Sequence, residues 1–429
     1  MGISSRKKSS SGDFITLEVS NDNKKLRLIF LIAFIVLAAV AFAVGVSQIG
    51  AKKPGWTEVE PSGIPESVFN EYTLYYKLGE SDKSATAEYK EVARVYSNAL
   101  ATAYAAFDST EEHEAGGNLA TLSAHPNERV SVMPELYGAL ELIKKSAEDN
   151  NCIFLGPVHD VFQQLFLCTD DISALHYDPM LNDDFGNFCK DVEQYSMDRE
   201  AVDIVLLGDN TVMLRVSDEY LSFADENGIR EYLGLGWMKN AFIVDSVSDA
   251  LIEEGFLNGV ISSYDGFSRS LGTGDELNCV LFSGNKDKTV SQVAELTYNG
   301  NTKRATASIR PLPVFSIDRN RFYVYENGTV RTPYVISPVL LGRAGHETMF
   351  VTAYKDGSSC ARLALDLYTT IFTYNYTELT NEPFESFLMS NLNGLDHPEY
   401  ICVTDSVYYT DENADIRMLN AEEKPVLLK

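Results

Sequence analysis

Residues whose types could carry chemistry concentrate between Leu235 and Gly272, where the chain reads LGWMKNAFIVDSVSDALIEEGFLNGVISSYDGFSRSLG. A Gly-bearing turn lets a backbone approach a phosphate closely, and a helix start presents free N–H groups to it. The order here is such a turn, an apolar helix over Val247 to Glu254 closed by Gly255, a short apolar strand, and an Asp-Gly turn at 265–266. Gly234-Leu235-Gly236 opens a dinucleotide-type fingerprint, but the third Gly position holds Lys239. Other chemistries lack their residues. There is no Gly-Lys dipeptide and so no phosphate loop, and no G-x-S-x-G nucleophile elbow. The histidines (His113, His125, His159, His176, His346, His397) form no H-E-x-x-H pair. The six cysteines form no C-x-x-C pair, and most have apolar neighbours that suit buried thiols.

The elements around this stretch mix both periodicities. Ala85 to Phe107 places aromatic and aliphatic residues at helical spacing, and Pro134 to Asn150 starts on a Pro suited to a first helical turn. After a polar insert around Asp183 to Glu193, AVDIVLLGDNTVMLRV reads as two strands about a Gly-Asp-Asn turn. From Asn278 onward short strands dominate, with hairpin turns expected at Asn299-Gly300 and Asn327-Gly328. Arg362 to Phe372 reads equally as helix or strand, and Tyr400 to Tyr408 as one late strand. Helices mixed with antiparallel strands predict an α+β fold.

The N-terminal region has its own signal. Residues 1–27 are polar and basic, and Leu28 to Ser47 contains no charge. That is long enough to cross a bilayer as a helix, and the flanking charges put residues 1–27 in the cytoplasm. The expected organisation is a basic tail (1–27), a transmembrane helix (28–48), a linker (49–68), a main domain (69–375), and a C-terminal strand extension (376–429) completing it. A cleaved signal peptide is the alternative, with an A-x-A-like site at Ala41-Phe42-Ala43. Beyond residue 53 the chain carries 27 Lys/Arg against 59 Asp/Glu. Such a surface repels nucleic acid.

Taken in order, several segments resemble the ApbE family, the FAD:protein FMN transferases. They are Tyr72 to Leu74, Phe107-Asp108-Ser109, Asn118-Leu119, the helix from Pro134, Gly156 onward, the block at 235–272, TPYVISPVLLG (332–342) and FVTAYKDGSSCARLALDLYTTIF (350–372). The resemblance implies an ApbE-like (T-fold-like) α+β domain. It also implies an exported protein that binds FAD and, with Mg²⁺, moves FMN onto a Thr or Ser of a partner protein.

Residue by residue, the resemblance implies cofactor contacts at Gly236, Trp237, Asn240, Asp245, Asp265, Gly266 and Tyr334. It implies metal contacts at Asp366 and Thr369. The family's L-G-G-I-A-K-G falls on Leu235-Gly236-Trp237-Met238-Lys239-Asn240-Ala241, so the Lys position is Asn240. The family's N-L-G-G turn falls on Ser263-Tyr264-Asp265-Gly266, which retains one Gly. Its H-H-I-I-D-P falls on Pro333-Tyr334-Val335-Ile336-Ser337-Pro338. Its metal Asp falls on Leu365, with Asp366 one residue along. Its G-x-F-D falls on Gly156-Pro157-Val158-His159, with Asp160 next. Asp318, Arg319 and Arg321 lie where the family approaches the cofactor. Asp245 also suits a helix N-cap ahead of VSDAL, and Trp237 suits either a flavin-stacking wall or a buried aromatic. Two functions follow: an active, divergent FMN transferase with an exported acceptor protein, or a catalytically degenerate module that binds a flavin or a protein. A structural surface domain with no ligand is a third.

Overall fold

The computed structural model describes residues 51–63, 70–146, 152–285, 287, 289–315, 321–333, 350–373, 398–403, 406–419 and 424–428. The apolar segment at 28–48 lies outside them. Among the described residues no helix is long and apolar enough to cross a membrane. Residues Pro54–Lys429 form one compact unit.

Its frame is a sheet built from strands far apart in sequence. β1 (Gly55–Val59) and β2 (Tyr72–Leu78) precede a helical region, inside which β3 (Val130–Ser131), β4 (Val202–Gly208) and β5 (Thr211–Val216) form a small sheet of their own. β6 (Gly259–Ser263) and β7 (Phe267–Ser270) are joined by the Asp265-Gly266 turn. β8 (Glu276–Gly284) and β9 (Val290–Asn299) make a long hairpin, followed by β10 (Arg304–Ile309) and a short hairpin of β11 (Tyr323–Val324) and β12 (Val330–Arg331). β13 (Phe350–Asp356), β14 (Glu399–Val403), β15 (Val407–Tyr409), β16 (Asp415–Met418) and β17 (Val426–Leu427) complete the set. The large sheet has the order β1-β2-β6-β7-β10-β13-β14-β15-β17 and is antiparallel except at β15–β17. A second layer has the order β16-β9-β8. The α+β expectation holds, with mostly antiparallel sheets.

Three helices cover one face of the large sheet. Helix Ala85–Ala106 begins where the Ser84 hydroxyl accepts the Ala87 N–H, and it buries Val92, Val95, Tyr96, Leu100 and Ala103 at helical spacing. It packs against helix Lys239–Glu253, which in turn packs on β6, β7 and helix Cys360–Thr373. Arg362 to Phe372 is thus helical: it buries Leu363, Leu365 and Leu367 around Ala361 and Ala364, so packing on both sides overrides the Thr pair.

Several expectations need correction. The segment around Asp183 to Glu193 is part of a helix, Asp183–Met197, capped by Asn182 and buried at Phe185, Cys189 and Val192. Its large buried residues are separated by Asp, Asn and Lys, which blur the helical period in the sequence. Asn299-Gly300 makes no hairpin. A short helical turn at Gly300–Thr302 passes the chain from β9 in one layer to β10 in the other. Tyr400 to Tyr408 is two antiparallel strands, β14 and β15. The helix expected from Val247 starts eight residues earlier, at Lys239, because the residues before Val247 are buried on nearly every side.

That earlier start relocates Asp245. It is not an N-cap of its own helix but lies inside it, 8% exposed. Its carboxylate accepts the N–H groups of Cys360 (2.9 Å) and Ala361 (2.8 Å), capping the N-terminus of the neighbouring helix, and pairs with Arg269 of β7 at 3.4 Å. Burial pushes the Asp245 carboxyl up to about 6, against the pull of Arg269 and the two amides. Asp245→Asn keeps the volume but turns an NH₂ toward one of those N–H groups and removes the countercharge of Arg269. Loss of roughly 2–4 kcal/mol of unfolding free energy is expected, measured by urea denaturation.

Candidate functional site

Helix Lys239–Glu253 aims its first residues into a cavity of about 450 Å³. Lys239 and Asn240 meet there with Glu71, which enters β2, and with Arg321, which precedes β11. Tyr104, Phe162, Phe166 and Trp237 supply aromatic wall. The size falls in the lower half of the range of about 300–1,000 Å³ for small-molecule sites.

The polar end is a closed set of bonds. Asn240 is 1% exposed. Its amide oxygen accepts the Tyr72 hydroxyl at 2.6 Å, and its NH₂ donates to Asp265 at 3.1 Å and Glu71 at 3.4 Å. Arg321 donates to Asp265 at 3.0 Å, lies 3.7 Å from Glu71, and sits over the Tyr264 ring at 4.6 Å. The Ser263 hydroxyl donates to Asp265 as well. Asp265 therefore faces inward, neutralised by Arg321, rather than standing in a bare turn. Burial raises the pKa of Glu71, opposed by Arg321. Burial lowers that of Lys239, whose ammonium lies 4.2 Å above the Tyr104 ring and faces Asp108, Glu71 and Glu231. Glu231 is itself pushed up to about 7 by burial and by Asp160.

The glycines serve packing as much as approach. Gly236 has φ +52°, and a Cβ there would lie 2.3 Å from the His159 ring, so the ring is seated against bare backbone. Gly266 has φ +113°, and its Cβ would meet the Ser308 carbonyl at 2.9 Å. Trp237 is 3% exposed and stacks on Phe267 at 5.9 Å and 14°. It is a core aromatic with a border on the cavity.

The proposed metal residues do not converge. Leu365 is fully buried. Asp366, one residue along, is 4% exposed and pairs with Arg362 at 3.2 Å. Thr369 belongs to the same helix, but its side chain lies outside the described set, as do Tyr334, Asp318 and Arg319. Asp160 lies on helix Gly156–Phe162 and accepts from Gln163 at 3.4 Å. A hollow of about 370 Å³ beside Asp245 is lined by Glu135, Asp249 and Glu253, and Asp249 there already pairs with Arg269 at 2.9 Å. Among the described residues no group of three or more His, Cys, Asp or Glu could hold a metal ion. Cys168, Cys189, Cys279, Cys360 and Cys402 are free thiols.

The structure thus brings together Gly236, Trp237, Asn240 and Asp265, seats Gly266 against Ser308 away from this cavity, and places Asp245 and Asp366 in helix contacts. It adds Glu71, Tyr104 and Glu231, which no motif marks, and gives Tyr72 of the resembling entry strand a bond to Asn240. Buried acidic and phenolic groups inside ordinary strands and helices leave no spacing signature.

No known protein-family profile matches the sequence, and no curated protein matches it. Solved structures do. The flavin transferase ApbE from Vibrio cholerae aligns with 86% of this chain and 98% of its own, at 12% identity and a TM-score of 0.49. The apo flavinyl transferase ApbE from Pseudomonas stutzeri aligns with 87% of this chain and 96% of its own, at 10% identity and a TM-score of 0.43. The chain is structurally similar to ApbE flavin transferases over most of its length, at low sequence identity.

His159 gives a titration test of this site. Its Nε2 is buried with no hydrogen-bond partner, and burial lowers its pKa from 6.5 to about 4. The unfolded chain therefore takes up a proton first as the pH falls. The contribution of a neutral His159 is complete above about 6.5 and is lost as the pH drops toward 4, amounting to about 3 kcal/mol. His159→Phe is expected to flatten that part of the stability profile. Urea unfolding between pH 4 and 7 reads it, and an unchanged slope would refute the assignment.

Proposed function

We propose that this protein is a membrane-tethered, extracytoplasmic binding module of ApbE-like fold that holds a flavin-type ligand without transferring it. The tether is the apolar segment at 28–48, and the binding domain spans 69–375 with the strands beyond it. The reading rests on one observation: each described carboxylate expected to serve a metal or a transferring phosphate has an internal partner. Asp366 pairs with Arg362, Asp265 with Arg321 and Asn240, and Asp245 with Arg269 and two backbone amides.

These residues do not fit Mg²⁺, which demands several oxygen ligands in near-octahedral array. An oxygen already facing a guanidinium or an N–H must lose that partner before it can ligate, leaving a buried cation or donor unpaired at several kcal/mol. The described carboxylates therefore support no metal-assisted step. The cavity does fit a planar aromatic ligand. Tyr104 and Trp237 flank it, and the Lys239 ammonium offers donors at one end. A flavin bound there would supply a redox-active ring system. Its isoalloxazine-sized part suits about 450 Å³ better than the whole dinucleotide does.

The full-length protein in lipid nanodiscs, mixed with FAD, FMN or riboflavin, should quench flavin fluorescence saturably. With Mg²⁺ and a flavin-acceptor peptide added, no AMP should appear. AMP release with a labelled peptide would instead establish the active transferase. Indifference to all three flavins would sink both readings. Asn240→Leu strands the Tyr72 hydroxyl and leaves Asp265 and Glu71 with fewer donors, so flavin affinity should fall about tenfold or more.

A further inference from the structure

The face of the large sheet away from the helices holds a larger cavity, about 810 Å³, roofed by the β8–β9 hairpin. The strand register places a row of hydroxyls along its floor. Thr73 of β2 stands opposite Ser262 of β6, Ser262 opposite Ser268 of β7, and Ser268 opposite Thr306 of β10. The row crosses four adjacent strands, or three strand spacings, roughly 14 Å. Among the described residues none of these four hydroxyls has a hydrogen-bond partner, although Thr306 is only 4% exposed. The next hydroxyls along β10 and β13 contrast with them: Ser308 and Thr352 bond each other at 3.0 Å.

The walls are aromatic and nearly uncharged. Trp56, on the edge strand β1, and Tyr75, on its neighbour β2, are 42% and 47% exposed at one rim. Phe282 and Phe315 meet edge to face at 6.2 Å at the other side. Among the described residues, Glu276 and Arg310 are the charged ones of the lining, and Arg310 already donates to the Tyr264 carbonyl and lies over Phe315. In a chain this acidic, an almost neutral cavity is a selective feature.

From this geometry we infer that the cleft beneath the β8–β9 hairpin binds a short neutral oligosaccharide, with the Thr73–Ser262–Ser268–Thr306 row as its hydrogen-bonding floor. The occupant must do two things at once. It must satisfy a line of groups that both donate and accept, because an apolar ligand would leave each buried hydroxyl unpaired at about 1–3 kcal/mol. It must also present C–H faces to aromatic rings. Sugar rings carry hydroxyls on their edges and C–H groups on their faces. Among the described residues an anionic ligand would find one guanidinium, Arg310, already engaged. The inference is independent of the flavin-type cavity, which lies on the other side of the sheet.

The protein offers a local reporter. It has two tryptophans. Trp56 is on this rim, and Trp237 is buried by the other cavity. Full-length protein in lipid nanodiscs is titrated with maltotriose, cellotriose and triacetylchitotriose. At least one trisaccharide should change tryptophan emission saturably, and Trp56→Phe should remove the optical change while calorimetry still records binding. The Thr73→Val/Thr306→Val double variant keeps the side-chain shape and the strand propensity. It should bind at least about tenfold more weakly, with an unaltered melting curve. A Ser268→Val variant tests the middle of the row in the same way. Absence of saturable heat with all three sugars would overturn the inference, as would valine variants that melt and bind like the parent.

Discussion

The carboxylate of Asp245 is the joint on which the helical layer hangs. It sits within helix Lys239–Glu253, caps helix Cys360–Thr373 through two amides, and pairs with Arg269 on β7. Two helices and a strand are fixed by one buried charge that would be costly to leave unpaired. Because the first helix is held along its length, its N-terminal residues Lys239 and Asn240 have a defined place. They meet Glu71 from β2 and Arg321 from the chain before β11. The candidate site is thus a consequence of how the helices are clamped to the sheet.

The electrostatics of that site explain its chemistry better than its outline does. Glu71, Asp265, Lys239 and Arg321 are ionisable groups held in a small, largely buried volume, and Asn240 bridges two of them. Such a set is stable when every charge and every donor has a partner. It costs free energy to open for a metal ion or a pyrophosphate, which would compete with bonds already made. The same closure leaves the aromatic side of the cavity available. Tyr104, Phe162, Phe166 and the border of Trp237 line that side and take no part in the closed set of charges.

The two faces of the large sheet differ in kind. On the helix side the alternating residues are Leu74, Tyr76, Ile261, Ala305 and Ala307, all at or near full burial. On the other side the same strands show Thr73, Ser262, Ser268 and Thr306. A period of two in the strands makes this division automatic once the register is set. Small hydroxyl side chains under the β8–β9 hairpin leave space where bulky residues would have filled the layer. The cavity is the volume those residues do not occupy.

Strong local signals along the chain specify several elements outright. Helix Ala85–Ala106, the Gly-Asp-Asn turn between β4 and β5, the Gly255 stop and the Asn327-Gly328 turn follow from periodicity and from backbone conformations few residues accept. The segment order that resembles the ApbE family was equally plain along the chain. Tertiary structure alone decided the rest. Asp245 looked like a cap for its own helix and instead caps another, because capping depends on which N-terminus lies within hydrogen-bond reach. Asn299-Gly300 looked like a hairpin and instead connects two layers. Asp265 looked like a cofactor contact and Asp366 like a metal ligand, and the arginines that hold them, Arg321 and Arg362, stand 56 and four residues away. The hydroxyl row belongs to four separate strands and has no expression in any one of them. Local sequence encodes periodicity and backbone torsion. The pairing of charges and the alignment of side chains across strands are set by distances that exist only after the chain has folded.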